Sequence, residues 1–494
     1  MQDRLGSCEI ICDRQSIEAT LDAHRRSVLP RLERWWAYYR NDAEPVRSAG
    51  GDRRVRLAQE RGLPARLTRR GPADDDRTRR EVVIENDIAW RVHTMVDFLF
   101  GKPVRLTSTA RDEALRRKIE ILLDAAWEAS GGVALLQDMA LLGHVYGHVD
   151  LRLRIDEADL MLLGAIAAGN AGEDDLAEIA RAFCIEVIEA TRGVPILDPR
   201  DYRRLLAYLI HIPDAACAAG LGGASGALAS TVDSARRPEG RGYLEVIDAH
   251  GHRIEIDGAL VEERSSTLLG GTIPIAHIQN VSQPFRYEGL GEVEPLVPLQ
   301  DELNTRLSDR ASRVTMQTFK MYLARGIDGF DEIPVGPGQI WSTDNLDASI
   351  ETFGGDASSP SEEAHIGEIR EAMDKVSGVP PVASGVVRAR IGNLSSANAL
   401  RITLMGLLSK NARKRVTYGR GIEQISEMIL HAVHHAGVLQ IPASERRIRL
   451  AWQDPLPSDI EGEIRAARGK LELGIDSDRV LGELGYSAQD EGVI

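Results

Sequence analysis

The sequence predicts an α+β fold, and three observations carry that expectation. Apolar residues recur at helical spacing over long stretches, above all 82–100, 299–321, 359–376 and 395–435. His148-Val149-Asp150-Leu151-Arg152-Leu153-Arg154-Ile155 alternates polar and apolar, as a strand does. Tyr243–Ile247 and Arg253–Ile256 read as a hairpin through Ala249-His250-Gly251, so the unit 81–290 pairs its strands mainly antiparallel.

Taken in order, 14–40 is helical, with Ile17, Leu21, Val28, Leu32, Trp35, Trp36 and Tyr39 near helical spacing. From Arg47 to Arg80 arginines are dense, and Gly50, Gly51, Gly62, Pro64, Gly71 and Pro72 interrupt any element. One reading is a basic arm on nucleic acid. The other, favoured because no aromatics interleave for base stacking, is a solvated extended arm on a neighbouring subunit, with Asp74-Asp75-Asp76 pairing some arginines. Val82–Phe100 is a helix that Gly101 and Pro103 end. Helices follow near Asp112–Ala129 and Val133–Tyr146. The Ala/Gly-rich segments Leu160–Asp175 and Ala215–Ser230 read as loops or insertions. Phe183–Val187 and Leu205–Ile210 are further strands.

Pro298 starts the helix 299–321, and Asp301 and Glu302 in its first turn complement the helix dipole. Its narrow apolar stripe of Leu299, Leu303, Leu307, Ala311, Val314 and Met321 suits side-by-side packing against neighbours. Tyr322–Gly355 is a small strand-and-turn module, with β-like pieces around Ile340 and Ile350. Ser359-Pro360-Ser361-Glu362 reads as a capping box, and Gly378 with Pro380-Pro381 ends the helix it opens. A polar loop, Val382–Leu394, leads to a helix beginning near Ser395 or Ser396. Some forty residues of helix would span roughly 60 Å. It must cross a large domain, lie in an assembly, or kink, and Gly419 and Gly421 mark the expected kink. Ile448–Trp452 reads as a strand, and Asp459–Leu473 and Ser477–Leu484 as short helices.

The 494 residues allow two or more structural units. The net charge of -15 is the opposite of what tight DNA binding needs, so any DNA contact is local or the surface repels phosphate. Cys8, Cys12, Cys184 and Cys217 form no zinc spacing and no disulfide framework. No signal pattern opens the chain, and its longest apolar run, Leu160–Gly169, is about half a membrane span, so a soluble, intracellularly made protein is expected. There is no P-loop, no Gly-x-Ser-x-Gly elbow and no dinucleotide fingerprint. His144 with His148, and His431 with His434 and His435, give only weak metal readings, because no third ligand type sits at a telling distance. No cofactor, metal or catalytic residue is expected.

The ordered set of motifs resembles the SPP1-like (Gp6-like) family of bacteriophage portal proteins. It is carried by Glu85-Asn86-Asp87-Ile88 with Val96 through Val104, by Gly143-His144-Val145-Tyr146-Gly147, and by Ile273-Pro274-Ile275 with Gln279-Asn280. Gly289-Leu290-Gly291-Glu292-Val293-Glu294, Leu299 through Asn304, Ser377-Gly378-Val379-Pro380 and Ser395 through Leu400 complete it. The resemblance covers about 82–436; the arginine-rich arm and the Ala/Gly-rich segments have no counterpart in it, and the part after Gly437 is weakly matched.

The resemblance implies a portal-type subunit. It would have an N-terminal helix and arm (1–80), an α/β wing (81–294), stem helices (295–321 and 359–378) and a small β-containing clip (322–358). A tunnel loop (379–394), a long kinked helix (395–436) and a C-terminal helical crown (437–494) would follow. It implies a homo-oligomeric ring, usually of about twelve subunits, in the virion at a capsid vertex, assembled in the host bacterial cytoplasm with no membrane involved. Double-stranded DNA would pass through it. The terminase large subunit, a head-completion adaptor and the major capsid and scaffolding proteins would be its partners. Ser384, Arg388, Arg390 and Asn393 would face the DNA; Asp328, Asp331, Glu332, Gln339, Trp341 and Asp344 would lie in the docking clip. Two other readings remain: a different ring or scaffold component of a phage-like particle, and a metal-dependent nucleic-acid enzyme using the histidines and carboxylates.

Overall fold

A computed structural model describes residues 13–47, 53–68, 81–213, 242–318, 321–325, 347–353, 359–384, 397–456 and 460–474, with the single positions 477 and 480. The first described elements are α1 (Arg14–Ala23), a π-helical stretch (His24–Val28) and α2 (Leu29–Arg40). A hairpin of β1 (Ala43–Arg47) and β2 (Arg53–Leu57) follows, then the short α3 (Ala65–Thr68). Next come α4 (Asp87–Phe100), β3 (Arg105–Ser108), α5 (Glu113–Ala129), α6 (Gly132–Tyr146) and β4 (His148–Ile155). After α7 (Glu157–Ala167) and α8 (Glu173–Ala180) the chain is mostly strand: β5 (Phe183–Ile188), β6 (Gly193–Asp198), β7 (Asp201–Pro213), β8 (Gly242–Ile247), β9 (Gly251–Ile256), β10 (Ala259–Ser265) and β11 (Ile275–Gln279). The remainder is α9 (Val297–Thr318), β12 (Met321–Arg325), β13 (Ser349–Phe353), α10 (Pro360–Ser377), α11 (Ala397–Thr403), α12 (Met405–His435), β14 (Ile448–Ala451) and α13 (Ile460–Glu472).

Mixed helix and sheet with antiparallel pairing agrees with the α+β expectation. One sheet has the order β10-β9-β8-β7-β6 and another β11-β4-β5. Two polar links join them: Arg152 of β4 grips Glu245 of β8 through both guanidinium nitrogens at 2.8 and 2.5 Å, and Tyr208 of β7 donates to Asp150 of β4 at 2.7 Å. The expected hairpin is β8–β9, with Tyr243 opposite Ile256. β14 pairs with β3, so a late strand closes onto an early one. Among the described residues no helix is long and apolar enough to cross a membrane.

Several expectations are corrected. Leu160–Asp175 is not a loop. Asp156 caps α7, and Leu160 and Gly164 are buried. A Cβ on Gly164 would stand 1.8 Å from the carbonyl oxygen of Ala436. The small residues are there for close packing; Ala215–Ser230 lies outside the described residues. Part of the arginine-rich segment is no extended arm. It forms the β1–β2 hairpin and a 3-10 turn, Ala58–Gly62, that buries Gln59 against the rest of the chain. Asp74-Asp75-Asp76 lies outside the described residues. Ser359 makes no side-chain cap, so the capping box does not form; Glu362 pairs instead with Arg313 of α9. The kink is also elsewhere. α12 runs unbroken through Gly419 and Gly421, and the interruption falls at Leu404, between α11 and α12. A Cβ on Gly421 would sit 2.3 Å from the Ile278 side chain, so that glycine lets β11 approach the helix.

α12, at about 1.5 Å per residue, crosses the main core. Tyr418, Ile422, Ile425, Ile429 and Val433 pack there with Leu122, Leu151 and Ile278. A second core joins α2, α4, α9 and α10 through Leu32, Val92, Leu303, Leu307, Ile366, Ile369 and Met373.

The expected helix start at Val82 is corrected for a physical reason. Residues 81–86 are extended and lie along α9. Backbone N–H groups of Glu81, Val83, Glu85 and Asp87 donate to the side chains of Ser312, Ser308, Asn304 and Gln300, at 3.0, 2.9, 3.0 and 3.1 Å. Two strand residues advance about 6.6 Å and four helix residues about 6.0 Å, so the two periods nearly match. Asn304 also donates to Gln59 at 2.9 Å, and Gln59 donates to the Tyr38 carbonyl and to Asn86. Asn304→Ala strands buried partners on both sides and is expected to lower stability by about 2–3 kcal/mol in urea denaturation.

Candidate functional site

The motifs that the sequence separates by more than a hundred residues meet at one junction. α6 ends at Gly147, whose φ is 90° and whose N–H bonds the Gly143 carbonyl at 2.8 Å. The N–H of Asn280, at the end of β11, donates to the Gly147 carbonyl at 2.9 Å, and the N–H of Glu292 donates to the His144 carbonyl at 2.7 Å. A Cβ on Gly147 would lie 2.5 Å from the Gly289 carbonyl oxygen, and one on Gly289 would lie 2.4 Å from the Gly147 oxygen. Backbone meets backbone here, so only glycine fits. α12 closes the junction: Tyr418 donates to Asn280 at 3.1 Å, and a Cβ on Gly143 would meet the Tyr418 hydroxyl at 2.1 Å.

This junction holds a buried charge cluster. Glu292 is 2% exposed, and both of its oxygens face lysines one turn apart on α12. Lys414 lies 2.7 Å away, and Lys410 pairs with the other oxygen. Burial on its own raises the Glu292 carboxyl, but Lys414 and then Lys410 outweigh it and hold it down to about 2. Burial pulls the Lys414 ammonium down to about 8 against the attraction of Glu292. His144 is fully buried beside them. Burial first and Lys414 second keep its pKa well below the ordinary value, so its ring is neutral.

Lys410 has a second partner, the carbonyl of Ser377 at the end of α10, at 2.9 Å. Glu292 thereby ties the segment before α9, the end of α10 and the start of α12 into one unit. A small apolar cluster does the same from the other side. Val379, just after α10, packs with Leu404 and Leu407, with Met95 of α4 and with Leu456. The described residues flanking 385–396 on both sides are therefore held to a shared base.

Of the sequence-predicted site residues, Ser384 ends a 3-10 turn, Pro381–Ser384, at the edge of this base. Arg388, Arg390 and Asn393 lie outside the described residues. So do Asp328, Asp331, Glu332, Gln339, Trp341 and Asp344. The strands that bracket the latter group, β12 and β13, pair antiparallel, with Met321 opposite Phe353 and Arg325 opposite Ser349. The expected β-like piece around Ile350 is β13; the one around Ile340 lies outside the described residues. Among the described residues no group of three or more His, Cys, Asp or Glu is placed to hold a metal. His431 and His434 bond the Leu268 carbonyl and the Ile441 N–H. Lys410 and Lys414 carry no signal in the sequence, where two lysines four apart on a helix read as a solvated face.

No curated protein matches the sequence. Solved structures similar to it include two from gene transfer agent particles. One, described as the virion of a native gene transfer agent particle, has a TM-score of 0.43 and 12% identity, over 81% of this chain and 89% of that one. The other, the neck of an empty gene transfer agent particle computed with C6 symmetry, has a TM-score of 0.45 and 13% identity, over the same 81% and 89%. Residues 245–483 span β8 to the C-terminal region and contain α9, the β12–β13 pair, α10 and the long helix; they match the family described as phage portal protein, SPP1 Gp6-like, and this match supports the family that the sequence motifs point to.

Proposed function

We propose that the chain is the subunit of a portal ring at the vertex of a phage-like particle, a channel for double-stranded DNA with no catalytic role of its own. The observation that carries the reading is the family match over 245–483, the span to which this reading assigns the stem, the clip and the tunnel loop. In this reading 81–294 is the wing, α9 and α10 are the stem, and 322–358 is the clip, on which the terminase large subunit and later a head-completion adaptor dock. Residues 379–394 are the tunnel loop, the long helix runs outward above the stem, and 437–494 is the crown. The ring closes with about twelve copies, contacts the major capsid and scaffolding proteins, and assembles in the bacterial cytoplasm.

The electrostatics suit a conduit. Each firm phosphate contact opposes sliding, and a chain of net charge -15 repels phosphate on balance. Arg388 and Arg390 then make transient contacts with passing DNA. Arg388→Ala combined with Arg390→Ala is expected to leave ring formation unchanged and to alter packaged-DNA yield or retention. Normal yield with normal retention would remove the loop from the mechanism, and a weakened ring would assign the arginines to contacts between subunits. The function as a whole is tested by assembling particles without this chain. They should contain no packaged DNA; filled particles would overturn the reading.

A further inference from the structure

Most of the expected apolar stripe along α11 and α12 is buried, Leu404 and Leu407 before Tyr418 as well as Ile422 to Val433 beyond it. A second set of apolar residues before Tyr418 is not: Ile402, Met405 and Val416 are 72%, 63% and 60% exposed. Met405, Ser409, Ala412 and Val416, all exposed, follow a three-four spacing along α12, the pattern of a helix seam that packs against another helix, and Ile402 lies just before the break at Leu404. Arg413 and Arg420 flank the seam and are exposed, Arg420 with Glu423 of its own helix nearby.

The outward face of α10 is complementary. Gly367 stands in the helix interior, and a Cβ there would meet nothing within 4 Å, so nothing among its neighbours in the chain requires a glycine. With the exposed Ala364 it leaves a shallow trough, bordered by the exposed Glu363 and Glu368 and by Glu371, which pairs with the exposed Lys375 at 3.0 Å. Bulky side chains beside cations on one face answer small side chains beside a rim of net negative charge on the other.

We propose that a second copy of this chain covers the α11–α12 seam, with its α10 trough receiving Ile402, Met405 and Val416 and its glutamates facing Arg413 and Arg420. Each copy carries both faces, so the contact is head-to-tail, the kind that forms a ring when the rotation between copies closes. The inference rests on the portal reading and adds the surfaces by which the ring closes. DNA would pair with the two arginines but would gain nothing by covering Ile402 or Met405, so the apolar seam selects a protein partner.

The test places a photo-crosslinking phenylalanine derivative at Met405 in the full chain. A covalent dimer whose linked peptide lies within 360–377 of the second copy is expected. Crosslinks to DNA, to the same chain, or to another part of the second copy overturn the proposal. Met405→Asp with Val416→Asp, and separately Gly367→Leu, should keep the melting temperature within a few degrees. Each should raise the concentration needed for assembly at least tenfold. Rings at the unchanged concentration in both variants would sink this inference alone. A wild-type chain that never assembles would overturn the portal reading and this inference with it.

Discussion

Glu292→Gln is expected to cost the fold about 3–5 kcal/mol, among the largest effects of any single substitution outside the apolar core. The carboxylate is 2% exposed and neutralises Lys414 and Lys410 together. A neutral amide of the same shape leaves two ammonium groups in a buried site, and the nearest other groups, Met95 sulfur at 3.5 Å from Lys414 and the Ser377 carbonyl on Lys410, offset little of that charge. Urea denaturation should show the loss at neutral pH. The acid side gives a second readout. The folded-state pKa of Glu292 is depressed to about 2 from an ordinary 4.5. Its contribution is therefore fully present above about 4.5 and disappears as pH falls towards about 2. Wild-type protein should lose stability through that window by more than the variant does. Equal acid titration of the two proteins would mean that the cluster contributes little.

Gly147→Ala should be comparably severe, about 3–5 kcal/mol. Part of this is backbone strain, since the φ of 90° is one that side chains disfavour. The larger part is overlap with backbone. The new Cβ falls 2.5 Å from the Gly289 carbonyl oxygen and 2.9 Å from the Gly291 nitrogen, and neither can move aside by changing rotamer. Because the same contact positions Glu292, the variant should also resemble Glu292→Gln in its acid titration. A melting temperature within a degree or two of wild type would contradict this account of the junction.

Much of the fold was legible in the sequence because the signals that set it are local. Alternation marks β4, and Asp112 and Gly378 mark helix ends that the structure places there. Where the reading failed, the deciding contact came from far along the chain. Val82–Asn86 has helical neighbours in sequence, but α9 supplies partners for its extended backbone. Gly419 and Gly421 resemble a kink until Ile278 is seen against the second of them. Alanine and glycine suit a loop and a closely packed helix equally, and only the Ala436 carbonyl against Gly164 decides for α7. The junction was half legible. Its glycines were visible as motifs, but Lys410 gains meaning only from Glu292, 118 residues earlier.

The most direct test of the central claim is the mass of the purified chain in solution by light scattering, with negative-stain images of the same peak. The account predicts a closed ring of about a dozen copies around a central hole. A compact dimer that stays a dimer at high concentration would contradict it.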